Sequence, residues 1–256
     1  METRYAVQPR ARRGDRARRV AYVAWAHRGE QRWRWAVLTT ALFVASVVAF
    51  AHLVEDYLTG DPIVRWDVEL ARWLHEHSSP ALVSFFKLLT LAGNVAVLAA
   101  ATAVVGLLLL RRRAVNDAVF LGMVAVGVEL LNAVLKLVFH RPRPELAFVH
   151  LDTYSFPSGH AAGATAVYGA IAYLAARRTS GGPRLALLVA TPVLIALIGF
   201  SRLYLGAHYL SDVLAGFCLG AAWLFACLTA LLAFGDRSVE PLLPRPVRRL
   251  VARLAA

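Results

Sequence analysis

An all-α fold, a polytopic membrane bundle of six transmembrane helices with an external amphipathic helix between spans 1 and 2, is predicted by three features of the sequence. Of its 256 residues 59% are hydrophobic and the mean hydropathy is +0.56, well above the roughly 45–50% apolar content of soluble domains. Residues 35–54 and 213–234 contain no Asp, Glu, Lys or Arg, and about 20 such residues suffice to cross a hydrocarbon core of roughly 30 Å. Basic and acidic connections alternate between the apolar runs, as expected of a chain that crosses a bilayer repeatedly. A soluble protein with buried core helices would not need runs of that length.

Taken in order, residues 1–34 form a basic N-terminal tail with ten arginines against Glu2, Asp15 and Glu30. Its beginning has the composition of a disordered segment. The first span is 35–54. No cleavable signal peptide is expected, since the first apolar run begins only at Trp35 and is of spanning length. The acidic segment 55–76 follows. Within it Asp61 and Pro62 read as an N-cap and first helical residue, and Ile63, Trp66, Leu70 and Leu74 recur at helical spacing among charges, which predicts an amphipathic surface helix. After Ser79 and Pro80 a second apolar segment, 81–91, leads through Gly93 to the second span, 95–110.

Spans three to six are 118–139, 160–176, 185–200 and 213–234, within a single domain over 35–234. A basic C-terminal tail, 235–256, holds five further arginines. Arg111, Arg112 and Arg113 share one side with Arg177, Arg178, Arg184 and both tails, so that side is expected to be cytoplasmic. The net charge of +12 is thus accounted for by orientation and by anionic headgroups, and nucleic acid is not an expected partner. Cys218 and Cys227 are nine residues apart, on opposite faces of one helix, so they cannot pair within it, and no thiol falls in the motifs below.

Three segments at span ends carry polar chemistry. Lys136 lies three residues before the end of the third span, about 5 Å deep. It could snorkel to the headgroups, but the chain uses lysine only at positions 87 and 136, and Arg143 follows, fixed in an extended segment by Pro142 and Pro144. Pro157-Ser158-Gly159-His160 opens the fourth span, where amides at a helix N-terminus attract an anion, although the same residues also suit a plain helix start. His208 and Asp212, four residues apart, are expected on one face of the helix entering the sixth span. There the carboxylate can accept one imidazole N–H and leave the other nitrogen free. A simple cap or surface pair is the plainer alternative. Arg202 is at the wrong spacing for that face, but a break near Gly206 would turn it back. Glu129, Asn132 and Lys136 form one helical stripe, read as interhelical hydrogen bonding. His140, His150 and the pair His75 and His77 lack a clustered ligand set, so no metal site is expected.

Together these residues supply three cations, two imidazoles and a carboxylate, a set suited to holding and attacking a phosphoryl group. The pattern Lys136-x6-Arg143-Pro, Pro-Ser158-Gly159-His160 and Ser201-Arg202-x5-His208-x3-Asp212 resembles the signature of the type 2 phosphatidic acid phosphatase superfamily, matching it at every defining position between Lys136 and Asp212. The resemblance implies a metal-independent and cofactor-free hydrolase acting on a lipid phosphate or pyrophosphate, of the phosphatidic acid, phosphatidylglycerophosphate or undecaprenyl diphosphate type. It implies that His208 attacks phosphorus to give a phosphohistidine, with Asp212 stabilising its charged form. His160 would protonate the leaving group and then activate water, while Lys136, Arg143, Arg202, Ser158 and the Gly159 amide hold the phosphoryl oxygens. A phosphotransferase using the same site, with a lipid or sugar acceptor, is the alternative. A lipid transporter would need polar residues through the membrane depth, where only Glu129 lies. Vanadium haloperoxidases resemble the same constellation but are soluble. Membrane lipids and the substrate are the expected partners, the motifs are expected to face the periplasm or the cell exterior, and the oligomeric state is open.

Overall fold

The computed structural model describes the backbone of residues 13–60, 62–149, 151–234, 252 and 254, with side chains from Glu30 onward, Pro62 and Phe234 aside. The expected Asp61 cap, His150, the first twelve residues of the N-terminal tail and nearly all of the C-terminal tail lie outside the described residues. Eight α-helices are described: α1 (Arg13–Thr59), α2 (Pro62–Glu76), α3 (Pro80–Leu89), α4 (Val95–Arg111), α5 (Val115–Phe139), α6 (Gly159–Ala176), α7 (Gly181–Tyr204) and α8 (Leu210–Phe234). A single 3-10 turn, Thr90–Gly93, joins α3 to α4. The first helix is longer than expected, since the basic stretch from Arg13 onward is already part of α1.

Local sequence accounts for the helix starts. The Ser79 hydroxyl accepts the Leu82 amide ahead of Pro80, and the Asn94 side chain accepts the Ala96 amide at 2.9 Å, so α3 and α4 begin at true caps. Their axes meet at 45° across the turn. Among the described residues, four helices are long and apolar enough to cross a bilayer, namely those in Glu30–Thr59, Val115–Phe139, Gly181–Tyr204 and Leu210–Ala233, or five if the bent α3–α4 pair counts as one. These make the chain an integral membrane protein.

Helix α6 is not among those spans, for a physical reason. It sits inside the bundle, against α4, α5, α7 and α8, and its buried positions are mainly alanine: Ala161, Ala162, Ala164, Ala166 and Ala170 are fully enclosed. Close packing selects for small residues there, and the glycines, His160, Thr165 and the two tyrosines of the helix hold its mean hydropathy down. On the facing helix, a Cβ at Gly216 would lie 2.6 Å from the Ser158 carbonyl, and one at Gly220 would collide with that of Ala162. Leu121, Val124 and Val128 of α5 close the other side of this core. Helix α1 packs along α8, where the Thr39 and Thr229 hydroxyls meet at 2.8 Å. Its other faces leave Val44, Val47 and Val48 exposed, as suits contact with lipid. At the basic end, Arg177 (3.2 Å) and Arg178, just past the end of α6, pair with Asp117 in the first turn of α5.

Two expectations need correction. In α2 the inward face is Ile63, Asp67, Leu70 and Leu74, with Asp67 completely buried, whereas Trp66 is 65% exposed. The carboxylate is drawn inward by a buried arginine, and this turns the helix by one position from the purely apolar reading. His208, in turn, precedes α8 instead of lying on it. Helix α7 stops at Tyr204, Leu205 closes it, and Gly206 reverses the chain with φ +63.

That reversal should be sensitive to a single methyl group. At Gly206 a Cβ would face the Leu146 carbonyl at 2.5 Å and would add the roughly 1–2 kcal/mol of left-handed backbone. Gly206→Ala should therefore lower the Tm of the detergent-solubilised protein by roughly 4–8 °C. Gly181, with φ +61 but open space around it, isolates the backbone contribution. Gly181→Ala should show a distinctly smaller drop, and equal shifts would mean that the Leu146 contact contributes nothing.

Candidate active site

The three motifs converge at one end of the bundle because the chain between α5 and α6 folds back over the turn between α7 and α8. The anchor is Phe156, fully buried and stacked on Tyr57 at 5.7 Å, with Phe50 and Phe139 around it. With Phe156 seated among α1 and α5, Ser155 and Ser158 are pressed against α8. The Ser155 amide donates to the Arg141 carbonyl at 2.8 Å, and the Ser158 amide to the Asp212 carbonyl at 2.9 Å. Asn132 holds the same loop from α5, donating to the Pro157 carbonyl at 3.2 Å. Its carbonyl oxygen lies where a Cβ at Gly159 would be 2.9 Å away, so a side chain there would have to displace the Asn132 amide. Asn132 thus ties α5 to the loop ahead of α6 instead of making the interhelical hydrogen bond expected of it, while Glu129, one turn deeper, lies beside Gly163 of α6.

Lys136 does not reach outward to solvent. It is half-buried, and its amine donates to the Tyr154 carbonyl. Arg143 donates to the same carbonyl at 3.2 Å, to the carbonyl and hydroxyl of Thr153 at 2.6 and 2.8 Å, and to the Ala207 carbonyl at 2.6 Å. The two cations are thus brought side by side by residues 153 and 154. Arg202 is buried at the end of α7 and donates to the Thr90 hydroxyl at 2.9 Å, while its carbonyl accepts the His208 amide at 3.3 Å. The break near Gly206 does turn Arg202 back toward His208. His160, half-buried in the first turn of α6, packs on Gly93, where a Cβ would lie 3.1 Å from the imidazole. The 3-10 turn therefore backs the site twice, through Thr90 and Gly93. The Ser201 hydroxyl is taken up within its own helix, donating to the Ile198 carbonyl at 2.6 Å.

His208 is 3% exposed, and its two ring nitrogens face different groups. Nδ1 lies 3.5 Å from Asp212 Oδ2 and 3.4 Å from the Ser155 hydroxyl. Nε2 lies 3.2 Å from Arg143 Nη1. A guanidinium has only donors, so Nε2 must be the acceptor and the ring proton must sit on Nδ1, toward the carboxylate. Burial pushes the imidazole down to about 3, although Asp212 pulls the other way. Burial also lowers the pKa of Arg143. The result is a neutral ring with an available lone pair on Nε2, aimed at a guanidinium that could equally hold an anion.

Among the described residues, two buried side-chain groups of the motifs have no hydrogen-bond partner: Ser158 Oγ and Arg202 Nε. Buried polar groups are nearly always satisfied, so a missing acceptor is indicated. Ser158 also starts α6 without any side-chain cap on the helix end, which suits an anion there. Among the described residues, no three His, Cys, Asp or Glu side chains stand together in a way that could hold a metal ion.

Sequence reasoning missed a second layer beneath Asp212. Arg141, 4% exposed, donates to Asp212 Oδ1 and to the Ser211 hydroxyl, each at 2.7 Å, and to Asp67 Oδ2 at 2.8 Å. Burial opposes its charge, but Asp212 and Asp67 outweigh it and raise its pKa above the ordinary value. The available signals were the repeated Arg-Pro at 141–144 and an acid, Asp67, on the inward spacing of an amphipathic helix.

The family model described as the PAP2 superfamily matches residues 117–235. Phosphatidylglycerophosphatase B of Bacillus subtilis (strain 168) is 43% identical over 101 residues, which are 38% of this chain and 49% of that protein. Undecaprenyl-diphosphatase BcrC of the same organism is 34% identical over 101 residues, 37% of this chain and 48% of the relative. The match therefore spans about half the length of these curated relatives. A crystal structure of a transmembrane PAP2-type phosphatidylglycerolphosphate phosphatase from Bacillus subtilis superposes with a TM-score of 0.63 at 27% identity, over 81% of this chain and 98% of that one.

The charge state of His208 can be read without any substrate. In histidine-labelled protein, 15N NMR should show a neutral ring protonated at Nδ1 throughout pH 5–8. A proton-bound form would appear only as the pH falls toward about 3. A resonance titrating near the ordinary value of roughly 6.5 and lost in His208→Ala would refute the assignment.

Proposed function

Since this chain belongs to the PAP2 superfamily, we propose that it is a membrane lipid phosphatase hydrolysing a lipid phosphomonoester or pyrophosphate through a phosphohistidine. The observation that carries this reading is the His208 ring, proton toward Asp212 and lone pair toward Arg143, together with two buried motif groups, Ser158 Oγ and Arg202 Nε, that have no acceptor among the described residues. A phosphoryl oxygen is the acceptor that fits, and the imidazole lone pair is the nucleophile.

In the first step Nε2 of His208 forms a bond to phosphorus as the bond to the leaving oxygen breaks. That oxygen takes a proton from His160, so an alcohol or phosphate departs neutralised. The ring gains positive charge, which Asp212 offsets across Nδ1–H. Lys136, Arg143, Arg202, Ser158 and the Gly159 amide hold the three non-bridging oxygens as charge accumulates on them. In the second step His160 removes a proton from water, the hydroxide attacks phosphorus, and the P–N bond breaks to restore neutral His208. The residues of this chain supply every proton transfer and every phosphoryl contact in that scheme, so the reaction is written without a metal. Phosphatidic acid, phosphatidylglycerophosphate and undecaprenyl diphosphate are the candidate substrates, the last two after the names of the two relatives.

Orientation follows from charge. Arg111–Arg113 and Arg177–Arg178 sit at the helix ends opposite the site, so both termini are cytoplasmic and the site opens at the outer leaflet. Helix α6 then serves as a sixth span shielded from lipid by its neighbours. Helix α2 lies along the outer surface with Trp66 and Trp73, both mostly exposed, at headgroup level.

Two measurements test these statements. Acid-quench trapping with a 32P-labelled lipid phosphate should give an acid-labile, base-stable label in the wild type and none in His208→Ala. His160→Ala should still form the label when the leaving group is p-nitrophenol, which needs little protonation. Label persisting in His208→Ala would place the nucleophile elsewhere. For topology, Glu69→Cys should react with an impermeant thiol reagent from outside intact cells and Arg112→Cys should not, both in a chain lacking Cys218 and Cys227. The reverse pattern would invert the orientation.

A further inference from the structure

Beneath the site lies a charged assembly of which the phosphoryl chemistry directly uses only Asp212. Asp67 is fully buried on α2, Arg141 nearly so on the loop after α5, and Asp212 fully buried at the start of α8. Arg141 bridges the two carboxylates with separate nitrogens, Nη2 to Asp67 at 2.8 Å and Nη1 to Asp212 at 2.7 Å. Its guanidinium is held between the rings of Tyr57 and Tyr209, 4.7 and 4.5 Å from their centroids. Ser211 closes the arrangement, its amide donating to Asp67 Oδ1 at 2.8 Å and its hydroxyl to Oδ2. Within this assembly the side-chain contact to the His208 ring comes from Asp212.

Burying three charges is costly, and a simple Arg141–Asp212 pair would have been cheaper. The pair alone would be neutral, with the Asp212 charge cancelled before it could act on the imidazole. Asp67 restores one net negative charge to the group of three. It does so on the side away from the ring, so the guanidinium is shared and Asp212 Oδ2 still presents excess charge to Nδ1–H. The two-ring sandwich and the forked donor geometry also fix the carboxylate plane, because Oδ1 is held by Arg141 while Oδ2 takes the Tyr209 amide at 2.9 Å and the Ser155 hydroxyl.

We propose that Asp67 and Arg141 are positioning residues for the reaction, holding Asp212 in place and keeping its charge available to the His208 ring as phosphorus is attacked. The proposal rests on the reading of His208 as nucleophile. It also gives α2 a part in the chemistry, since the carboxylate that balances the charge comes from that helix. The stabilisation is needed only when the ring becomes charged, so removing it should affect turnover and leave ground-state phosphate binding intact.

The test uses the full-length protein in detergent with dioleoyl phosphatidic acid, inorganic phosphate as ground-state inhibitor, and orthovanadate as the trigonal-bipyramidal inhibitor that bonds to the nucleophile. Asp67→Asn, nearly isosteric, should lower kcat roughly 10- to 100-fold and weaken vanadate by a similar factor. KM and the phosphate inhibition constant should stay within about threefold of the wild type, since the lost interaction is made only in the transition state. Should Asp67→Asn not yield folded protein by thermal unfolding, Arg141→Lys is the second variant. It keeps the cation, but one ammonium cannot reproduce the fork, and the same split is expected. Retention of kcat and vanadate affinity within about threefold in a folded variant overturns the proposal, as does equal weakening of vanadate and phosphate, which would mark a mere change of pocket shape. Asp212→Asn and His208→Ala separate this from the parent reading. If they keep wild-type turnover, that reading falls and the proposal with it. If they lose turnover while Asp67→Asn does not, only the proposal falls.

Discussion

The structure depends on one buried carboxylate. Asp212 has no exposure at all, yet it receives Arg141, the Ser155 hydroxyl, the Tyr209 amide and the His208 ring on its side chain, and the Ser158 amide on its carbonyl. A charge so placed is tolerated only when fully paired, because losing one partner of a buried ion pair costs about 3–5 kcal/mol. The partners come from two distant connections: Arg141, Ser155 and Ser158 from the two ends of the loop between α5 and α6, and His208 and Tyr209 from the turn between α7 and α8. Satisfying Asp212 therefore brings the three motifs together. The need to give this group its hydrogen-bond partners organises the end of the bundle, much as the apolar core organises its middle.

The rest of the fold supports that requirement. A helix made of small residues, α6, lets α8 approach closely enough for the Ser158 amide to reach the Asp212 backbone, and Gly216 and Gly220 make the approach possible. The aromatic seat of Phe156 fixes the loop that supplies Ser155 and Ser158. The 45° break between α3 and α4 places Thr90 and Gly93 behind Arg202 and His160. Irregular backbone is acceptable at membrane depth only where protein encloses it. Here the enclosed loops are also where the polar side chains gather.

How much of this was legible in the sequence follows from the range of the interactions involved. The apolar runs gave the boundaries of α4, α5, α6 and α8 to within a few residues, since helix periodicity and charge exclusion are local. The motif residues were legible as well, because Lys136, Arg143, His160, Arg202, His208 and Asp212 are charged or titratable at span ends, where each needs a reason. Arg141 and Asp67 were not, although they are as buried as any of these. Each looks ordinary in its own segment, one an arginine among prolines, the other an acid on a helix rich in charge. Their pairing spans 74 residues, and no local pattern encodes a long-range ion pair. The inward face of α2 was misread for the same reason, by taking Trp66 as an anchor where the partner that mattered was a distant guanidinium.

The charge balance of the site leads to a last step. Lys136, Arg143 and Arg202 bring three positive charges to the pocket, and the single carboxylate that faces His208 is already shared with Arg141. The acceptors these cations meet are neutral: the Tyr154 carbonyl for Lys136, the carbonyls of Thr153, Tyr154 and Ala207 for Arg143, and the Thr90 hydroxyl for one nitrogen of Arg202. Neutral acceptors hold a cation in place without cancelling its charge, so the pocket keeps a positive field. The Arg143 contact to Nε2 then has a second consequence. An arriving phosphoryl oxygen is a stronger acceptor for the guanidinium than an imidazole lone pair is, so binding of the anion would draw Arg143 off the ring. The lone pair would be released at the moment phosphorus comes within reach, and the field that attracts the substrate would thereby also free the group proposed to attack it.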